Sequence, residues 1–253
     1  IGVTGDGRIL FTWTSETTLE VFASIWDPRG STINPDDYNT GATNFVDSDV
    51  ITTGVNGSVV LAGVKGDTVL GQDGDDIIWS SADGAFYGGG GADLIYASGF
   101  TGTLEFEELD GGTGNDTLDT SDFNGSYAIN LATGATVYQG MPLGGNESFT
   151  NFENIVTGNG NTEVTGTSGN NSITTGNGSD TINAGGGNDT VHAGSGNDSI
   201  GASNGNDLYY GGAGNDTLTS SGTDTIYGGS GDDLVFAGLG LPESLYGGAG
   251  VDR

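Results

Sequence analysis

Apolar residues recur at a fixed step of nine in the C-terminal half of the chain. Five consecutive units span residues 175–219 and read TGNGSDTIN, AGGGNDTVH, AGSGNDSIG, ASNGNDLYY and GGAGNDTLT. In each unit the fourth residue is glycine, the sixth is aspartate and the eighth is apolar or aromatic. A period this short indicates that each repeat is one small structural unit, stacked on its neighbours.

Each unit predicts one turn followed by one short strand. The first six residues predict the turn, because glycine tolerates the positive φ angles of a tight loop. The last three predict the strand, in which the eighth residue points inward and its two neighbours point outward. Two units make a coil of eighteen residues, so strands from alternate units stack in parallel, about 4.8 Å apart, as two sheets.

The predicted fold class is therefore all-β: a right-handed parallel β-roll, which is a kind of β-solenoid. Its predicted core is the set of eighth residues, namely Ile182, Val191, Ile200, Tyr209, Leu218, Ile226 and Val235.

The repeats extend beyond these five units, although with defects. Thr162 and Asn171 replace aspartate in the two units before them. After them come an eight-residue unit at 220–227, a regular unit at 228–236, a ten-residue unit with Glu243 at the acidic place, and a truncated unit with Asp252. We therefore predict one roll block at 157–253.

An earlier block occupies residues 62–119. Its clear units are GQDGDDIIW, GGGGADLIY and GGTGNDTLD, which contain Asp76, Asp93 and Asp116. The segments between them lack the acidic core but still end in the apolar residues Phe86 and Leu109. Alternate units are thus degenerate, and we expect the metal sites of this block mainly along one side of the roll.

Two further regions break the period. Residues 120–156 form a predicted β insertion, because AINLATGATVYQ alternates apolar and polar residues around a Thr-Gly turn, as a hairpin does. Residues 1–61 are rich in β-branched and aromatic residues and predict two or more strands, with a turn at residues 27–30. We expect this region to cap the roll. Its aromatic side chains, Phe11, Trp13, Phe22 and Trp26, favour a packed cap over a glycan-binding platform.

Charge limits the possible partners. The chain of 253 residues carries 34 acidic and 4 basic residues, for a formal net charge of −30. Such a surface excludes nucleic acid and anionic membranes as partners, because both require basic patches. Cysteine is absent, which rules out thiolate metal sites, and no apolar run is long enough to cross a membrane. We expect the chain to be part of a longer protein.

The regular aspartates predict bound calcium. Aspartates eighteen residues apart fall on one edge of the roll, and stacked carboxylates without counter-ions repel each other. Calcium suits such loops because it takes 6–8 oxygen ligands, including main-chain carbonyls, whereas zinc and copper favour His or Cys. Parity places Asp180, Asp198, Asp216, Asp233 and Asp252 on one edge and Asp189, Asp207 and Asp224 on the other.

Same-edge pairs predict about 6–9 calcium ions. One buried side chain per unit stabilises the fold by about 1.5–3 kcal/mol, less than the cost of ordering nine residues. We therefore expect calcium binding to be coupled to folding.

The units, GGAGNDTLT above all, resemble the calcium-binding nonapeptide of RTX (repeats-in-toxin) proteins. The resemblance implies a β-roll that folds on calcium after export through a type I secretion channel, from a Gram-negative-type bacterium to the outside of the cell. It also implies that turn carbonyls complete each calcium shell, here those of Gly185, Gly187, Gly194, Gly196, Gly205, Gly211, Gly212, Ala213, Gly214, Gly229 and Gly231.

The stretch from LDTSDF to FENIVTG resembles the segment that precedes the roll in serralysin-type proteases, but the chain has no HExxH motif. Residues 201–205 match GxSxG, but a repeat turn is the better interpretation without a strand-to-helix elbow and a second histidine. The lone His192 occupies an outward strand position.

We therefore expect a non-enzymatic calcium-binding module of a secreted or cell-surface protein, such as an adhesin or a surface-layer component. Further copies of the parent protein, or a surface glycan, are its expected partners besides calcium. The alternative is the C-terminal roll of a secreted metalloprotease or lipase whose catalytic domain is absent from this chain.

Overall fold

The computed structural model describes most of the roll and three strands before it. The described parts are 2–3, 9–15, 18–26, 50–62, 67–80, 84–97, 107–138, 141–142, 148–201, 204–238 and 243–253. For the strands before Val50, only the main chain is described. The described residues form 26 β-strands, and among them there is no helix long and apolar enough to cross a membrane.

The first three strands form an antiparallel sheet. They are β1 (Gly2–Val3), β2 (Ile9–Ser15) and β3 (Thr18–Trp26), in the order β1-β2-β3. The prediction of two or more strands in this region is confirmed, and β2 pairs with β3 in antiparallel register. The turn predicted at 27–30 and the aromatic side chains of the predicted cap lie outside the described part of the chain.

Three further sheets build the roll. The ten-stranded sheet contains, in spatial order, β5 (Val59–Leu61), β7 (Ile77–Trp79), β9 (Leu94–Tyr96), β11 (Thr117–Thr120), β16 (Asn154–Thr157), β18 (Ser172–Thr174), β20 (Thr190–His192), β22 (Leu208–Ala213), β24 (Thr225–Ser230) and β26 (Ser244–Ala249). The five-stranded sheet contains β4 (Val50–Thr52), β6 (Thr68–Leu70), β8 (Ala85–Gly91), β10 (Glu108–Gly114) and β15 (Ser148–Thr150).

The eight-stranded sheet contains β14 (Met141–Pro142), β13 (Ala135–Tyr138), β12 (Tyr127–Asn130), β17 (Thr162–Thr165), β19 (Thr181–Asn183), β21 (Ser199–Gly201), β23 (Thr217–Thr219) and β25 (Leu234–Phe236), again in spatial order.

The chain alternates between two sheets, as the step of nine predicts. In the eight-stranded sheet, Ile182 pairs with Ile200, and Ile200 pairs with Leu218, so parallel partners are eighteen residues apart. The same step links Ile173 to Val191 in the ten-stranded sheet. The predicted parallel β-roll is confirmed.

The core is one row of buried side chains from each sheet. Of the seven predicted core residues, all except Val235 are buried, and so are Phe86 and Leu109 in the earlier block. Val235 is half-buried, because β25 is the last strand of its sheet among the described residues.

The ten-stranded sheet runs past the irregular segment without a break. Leu118 of β11 pairs directly with Ile155 of β16, although 37 residues separate them in sequence. The hairpin predicted around Thr133-Gly134 is confirmed as the antiparallel pair β12–β13. Because β12 also pairs in parallel with β17, the hairpin begins the eight-stranded sheet.

The outward residues form rows along the roll. His192 faces outward as predicted and stacks on Tyr210, with ring centroids 4.5 Å apart, and Tyr227 and Tyr246 continue the row. Asparagines form similar rows at the turns: the Asn188 amide oxygen accepts the Asn206 N–H at 2.9 Å. These bonds tie consecutive turns together without a metal ion.

Candidate metal sites

The candidate ligands lie in two rows parallel to the roll axis, and most of them come two places before a buried core residue. The eight-strand column precedes strands of the eight-stranded sheet at Thr162, Asp180, Asp198, Asp216 and Asp233. Asp252 continues this column, because its Oδ1 accepts the Asp233 N–H. The ten-strand column precedes strands of the ten-stranded sheet and contains Asp76, Asp93, Asp116, Glu153, Asn171, Asp189, Asp207 and Asp224.

A ladder of hydrogen bonds connects the members of each column. In the eight-strand column the Asp180 N–H donates to Asp198 Oδ1 at 2.8 Å, and the Asp198 N–H donates to Asp216 Oδ1 at 2.9 Å. In the ten-strand column the Asp189 N–H donates to Asp207 Oδ1 at 2.8 Å. Each of these bonds gives one carboxylate oxygen a main-chain N–H donor from the previous coil.

The second carboxylate oxygen is buried without a hydrogen-bond partner in most of these residues. Nine of the eleven predicted aspartates have one such oxygen: Asp76, Asp93, Asp116, Asp180, Asp189, Asp198, Asp216, Asp224 and Asp233. A buried oxygen acceptor without a donor carries a desolvation cost of about 1–3 kcal/mol, and more when it is charged. Repeated at successive coils, these oxygens form rows of anionic ligands.

Glycine keeps the space beside these oxygens open. A Cβ atom on Gly211 would lie 2.5 Å from Asp216 Oδ2 and 2.5 Å from the Gly228 carbonyl oxygen. The same arrangement recurs one coil further on, where a Cβ atom on Gly228 would meet Asp233 Oδ2 and the Gly247 carbonyl. The first glycine of the unit therefore allows a carboxylate and a carbonyl from consecutive coils to approach each other.

The glycine and alanine carbonyls assigned by resemblance lie in the turns between the strands, except those of Gly211, Gly212 and Ala213 at the end of β22 and Gly229 near the end of β24. Gly185, Gly187, Gly194, Gly196, Gly205, Gly212, Gly214, Gly229 and Gly231 have positive φ, so an L side chain would be strained there. The carbonyls of Gly194, Gly205 and Ala213 already accept main-chain N–H groups of neighbouring coils. Each carbonyl oxygen retains a second lone pair for an ion.

Burial raises the pKa of several column carboxyls. The pKa of Asp198 is raised to about 7, mainly by burial and also by the charges of Asp180 and Asp216, while the Asp180 N–H bond opposes the rise. The pKa of Asp116 also rises to about 7, and those of Asp93 and Asp189 rise to about 6. Burial is the largest cause in each case, which shows that a folded column without cations disfavours ionised carboxylates.

The donor set fits calcium. Among the described residues, no three or more His, Cys, Asp or Glu side chains cluster as a metal site, so an ion in a column needs main-chain oxygens as well as carboxylates. Calcium accepts carbonyl and carboxylate oxygens in flexible geometry. Carboxylates and carbonyls of consecutive turns, open through glycine, provide such a set.

Both columns contain breaks at predicted positions. Thr162 has no charge, and its hydroxyl donates to Asp180 Oδ1 at 2.8 Å. The Asn171 amide donates to the Glu153 carbonyl at 2.6 Å. At the C-terminal end, Glu243 accepts bonds from Ser220 Oγ and the Gly238 N–H.

Sequence reasoning missed Glu153. Its Oε2 accepts the Asp116 N–H at 2.9 Å, the bond that an aspartate makes at other coils. The segment lacks the glycine-rich turn, so the nonapeptide pattern does not identify it. The usable signal was its position two residues before the buried Ile155.

Comparison with known proteins gives one finding. A family model described as RTX calcium-binding nonapeptide repeat (4 copies) matches residues 59–84, 86–104, 101–122, 156–191, 184–218 and 219–240, together more than half of the chain. A search among curated proteins finds no significant match. The segment that carries Glu153 lies between the matched regions.

Proposed function

Because the chain belongs to the RTX calcium-binding nonapeptide repeat family, we propose that this calcium-binding β-roll is a structural module of a secreted or cell-surface protein and folds when it meets calcium. In this proposal the ions bind along the two columns. Each ion is shared by carboxylates of consecutive coils and by the carbonyls of the turns beside them.

The observation that carries the proposal is the set of nine buried carboxylate oxygens without partners. Calcium supplies the cationic partner that each of them needs, and it removes the repulsion between the stacked charges. The ladder bonds already hold the other oxygen of most of these carboxylates in place. The folded main chain therefore orients the ligands, and the ion neutralises them.

Calcium-coupled folding follows from the charge of the chain. With a formal net charge of −30 and buried carboxylates of raised pKa, the calcium-free roll is destabilised at neutral pH. A ligand that binds only the folded state adds stability in proportion to the logarithm of its concentration. The roll thus stays unfolded at low calcium and forms at high calcium.

This dependence supports an extracellular location. Calcium-binding modules outside cells work at roughly 10⁻⁴–10⁻³ M calcium, far above cytosolic levels. A chain that stays unfolded inside the cell suits export through a type I secretion channel, followed by folding outside. The repetitive, elongated architecture suits a non-enzymatic role in an adhesin or surface-layer protein.

A second candidate is the C-terminal roll of a secreted protease or lipase. The segment that ends in FENIVTG favours it, because it resembles the segment that precedes the roll in serralysin-type proteases. Its last strand, β16, pairs with β11 of the roll. A zinc-protease motif or a serine-hydrolase elbow in the same parent gene would support this candidate. Further repeats or adhesive domains there would support the first.

The test of the shared claim is a calcium titration of the chain. Far-UV circular dichroism should gain β signal, and the hydrodynamic radius should fall, over the same calcium range. Magnesium at the same concentration serves as the control, because it requires a stricter octahedral geometry and retains waters. A β signal and a radius that do not change between chelator and calcium would refute calcium-coupled folding.

A further inference from the structure

Asp207 differs from the other buried aspartates of its column. Both of its carboxylate oxygens have partners: Oδ1 accepts the Asp189 N–H at 2.8 Å, and Oδ2 accepts the Tyr209 hydroxyl at 2.9 Å. In the described part of the ten-strand column, every other aspartate has one buried oxygen without a partner. The Tyr209 hydroxyl therefore accounts for the difference between Asp207 and these other aspartates.

Tyr209 occupies the inward eighth place of its unit. It is fully buried and pairs with Val191 on one side and Ile226 on the other. Its neighbours at this place carry only aliphatic side chains, which have no hydrogen to donate. The phenol is neutral, because burial and the bond to Asp207 raise the pKa of Tyr209 far above its usual range.

The turns around Asp207 also differ from the regular unit. The unit of Asp207 has Ser203 at its second place, where the units on either side have glycine, and the next unit of the column begins with Ser220-Ser221. That next unit has eight residues, so the ladder step from Asp207 to Asp224 is seventeen residues. The sequence thus departs from the calcium-binding pattern at the coil where the hydroxyl occupies the carboxylate oxygen.

We propose that the Tyr209 hydroxyl takes the place of a calcium ligand bond at this coil, so that Asp207 binds calcium more weakly than the regular aspartates of the two columns. The inference rests on the proposed calcium function. It adds one position of the ten-strand column at which a tyrosine hydroxyl binds the second carboxylate oxygen in place of an ion. An ion at Asp207 Oδ2 must displace the hydroxyl or share the oxygen with it, and either lowers the affinity of the site. A hydrogen bond to a charged group is strong enough to weaken binding there by roughly ten- to a hundredfold.

The test is Tyr209→Phe, which removes the hydroxyl and keeps the ring in the core. Calcium binding to the full chain is measured by isothermal titration calorimetry, with the number of bound ions counted by native mass spectrometry. The variant should bind one more ion per chain, or bind its weakest ion roughly ten- to a hundredfold more tightly. The control is Tyr227→Phe, which removes a hydroxyl from the outward row and should change neither quantity.

A second variant controls for a loss of core packing in Tyr209→Phe. Tyr209→Leu places there the residue found at Leu118 and Leu218, which pack at the same place in other coils. It should also gain calcium affinity. If both variants fold on calcium with the ion number and affinity of the wild type, or if neither forms the roll in saturating calcium, the inference is overturned. If the wild type itself binds no calcium, the proposed function fails instead.

Discussion

Asp198→Asn should change stability in opposite directions with and without calcium. Asp198 lies in the middle of the eight-strand column, 2% exposed, with Oδ1 on the Asp180 N–H and Oδ2 without a partner. Asparagine has nearly the same shape, and its amide oxygen can still accept the Asp180 N–H. The substitution therefore removes a charge and a metal ligand but keeps the ladder bond.

Without calcium, the variant should be the more stable protein. The pKa of Asp198 rises from 3.8 to about 7 in the roll. That shift corresponds to at most about 4 kcal/mol for ionising the carboxyl at neutral pH, and solvent screening reduces it to about 2 kcal/mol. In calcium the sign reverses, because Asp198 would share ions with both Asp180 and Asp216. Each lost ion costs about 2.7 kcal/mol when calcium is at 100 times its Kd.

Two measurements check this reversal. Urea unfolding in saturating calcium gives the free energy of unfolding of the loaded roll, and acid-induced folding in chelator gives the pH midpoint of the calcium-free roll. Asp198→Asn should lower the first and move the second to higher pH. The exposed Asp122→Asn removes the same charge outside the columns and should leave both nearly unchanged. A loss of stability of equal size in calcium and in chelator would refute the reasoning, since it would indicate a packing defect alone.

Three further predictions concern the effect of pH on the calcium-free roll, the space beside Asp216, and the contact between Glu153 and Asp116. The raised pKa values of Asp93, Asp116, Asp189 and Asp198 stabilise the calcium-free roll fully below about pH 4, and this stabilisation disappears as the pH rises through 6 to 7. In chelator, the chain should therefore gain β signal at acid pH by circular dichroism, and calcium binding near pH 6 should release protons. A calcium-free chain with more β structure at pH 8 than at pH 4.5 would contradict this. Gly211→Ala should raise the calcium concentration at the folding midpoint severalfold, because its Cβ atom would lie 2.5 Å from Asp216 Oδ2, whereas Gly169→Ala, whose nearest neighbour is 3.7 Å away, should have little effect. Glu153→Gln retains an acceptor for the Asp116 N–H but removes a charge that raises the pKa of Asp116; calorimetry in buffers of different ionisation enthalpy should show fewer protons released per calcium, and an unchanged proton count would exclude coupling between the two carboxyls.

The step of nine predicted the parts of the fold that depend on local chemistry. The eighth residues are buried because a three-residue strand can point only one side chain inward. The sixth residues align in columns because parallel partners are eighteen residues apart. Even the eight-residue unit preserves the column, since Asp224 still accepts the Asp207 N–H.

Long-range pairings could not be predicted in the same way. The direct pairing of β11 with β16 depends on which segment leaves the roll, and no local pattern encodes that choice. Glu153 enters the ten-strand column without a glycine turn, because its longer side chain reaches the Asp116 N–H. Tyr209 was predicted only as a core residue, since the position of its hydroxyl depends on the ring orientation in the folded coil.

Calcium binding along the two columns is tested most directly by a crystal structure of the calcium-loaded chain, with anomalous difference maps at a wavelength where calcium scatters anomalously. Two rows of peaks are expected along the roll, beside the second carboxylate oxygens of the eight-strand and ten-strand columns, with the weakest peak or a gap at Asp207. Ordered calcium bound only away from the columns, or columns without any peak in a folded roll, would contradict this expectation.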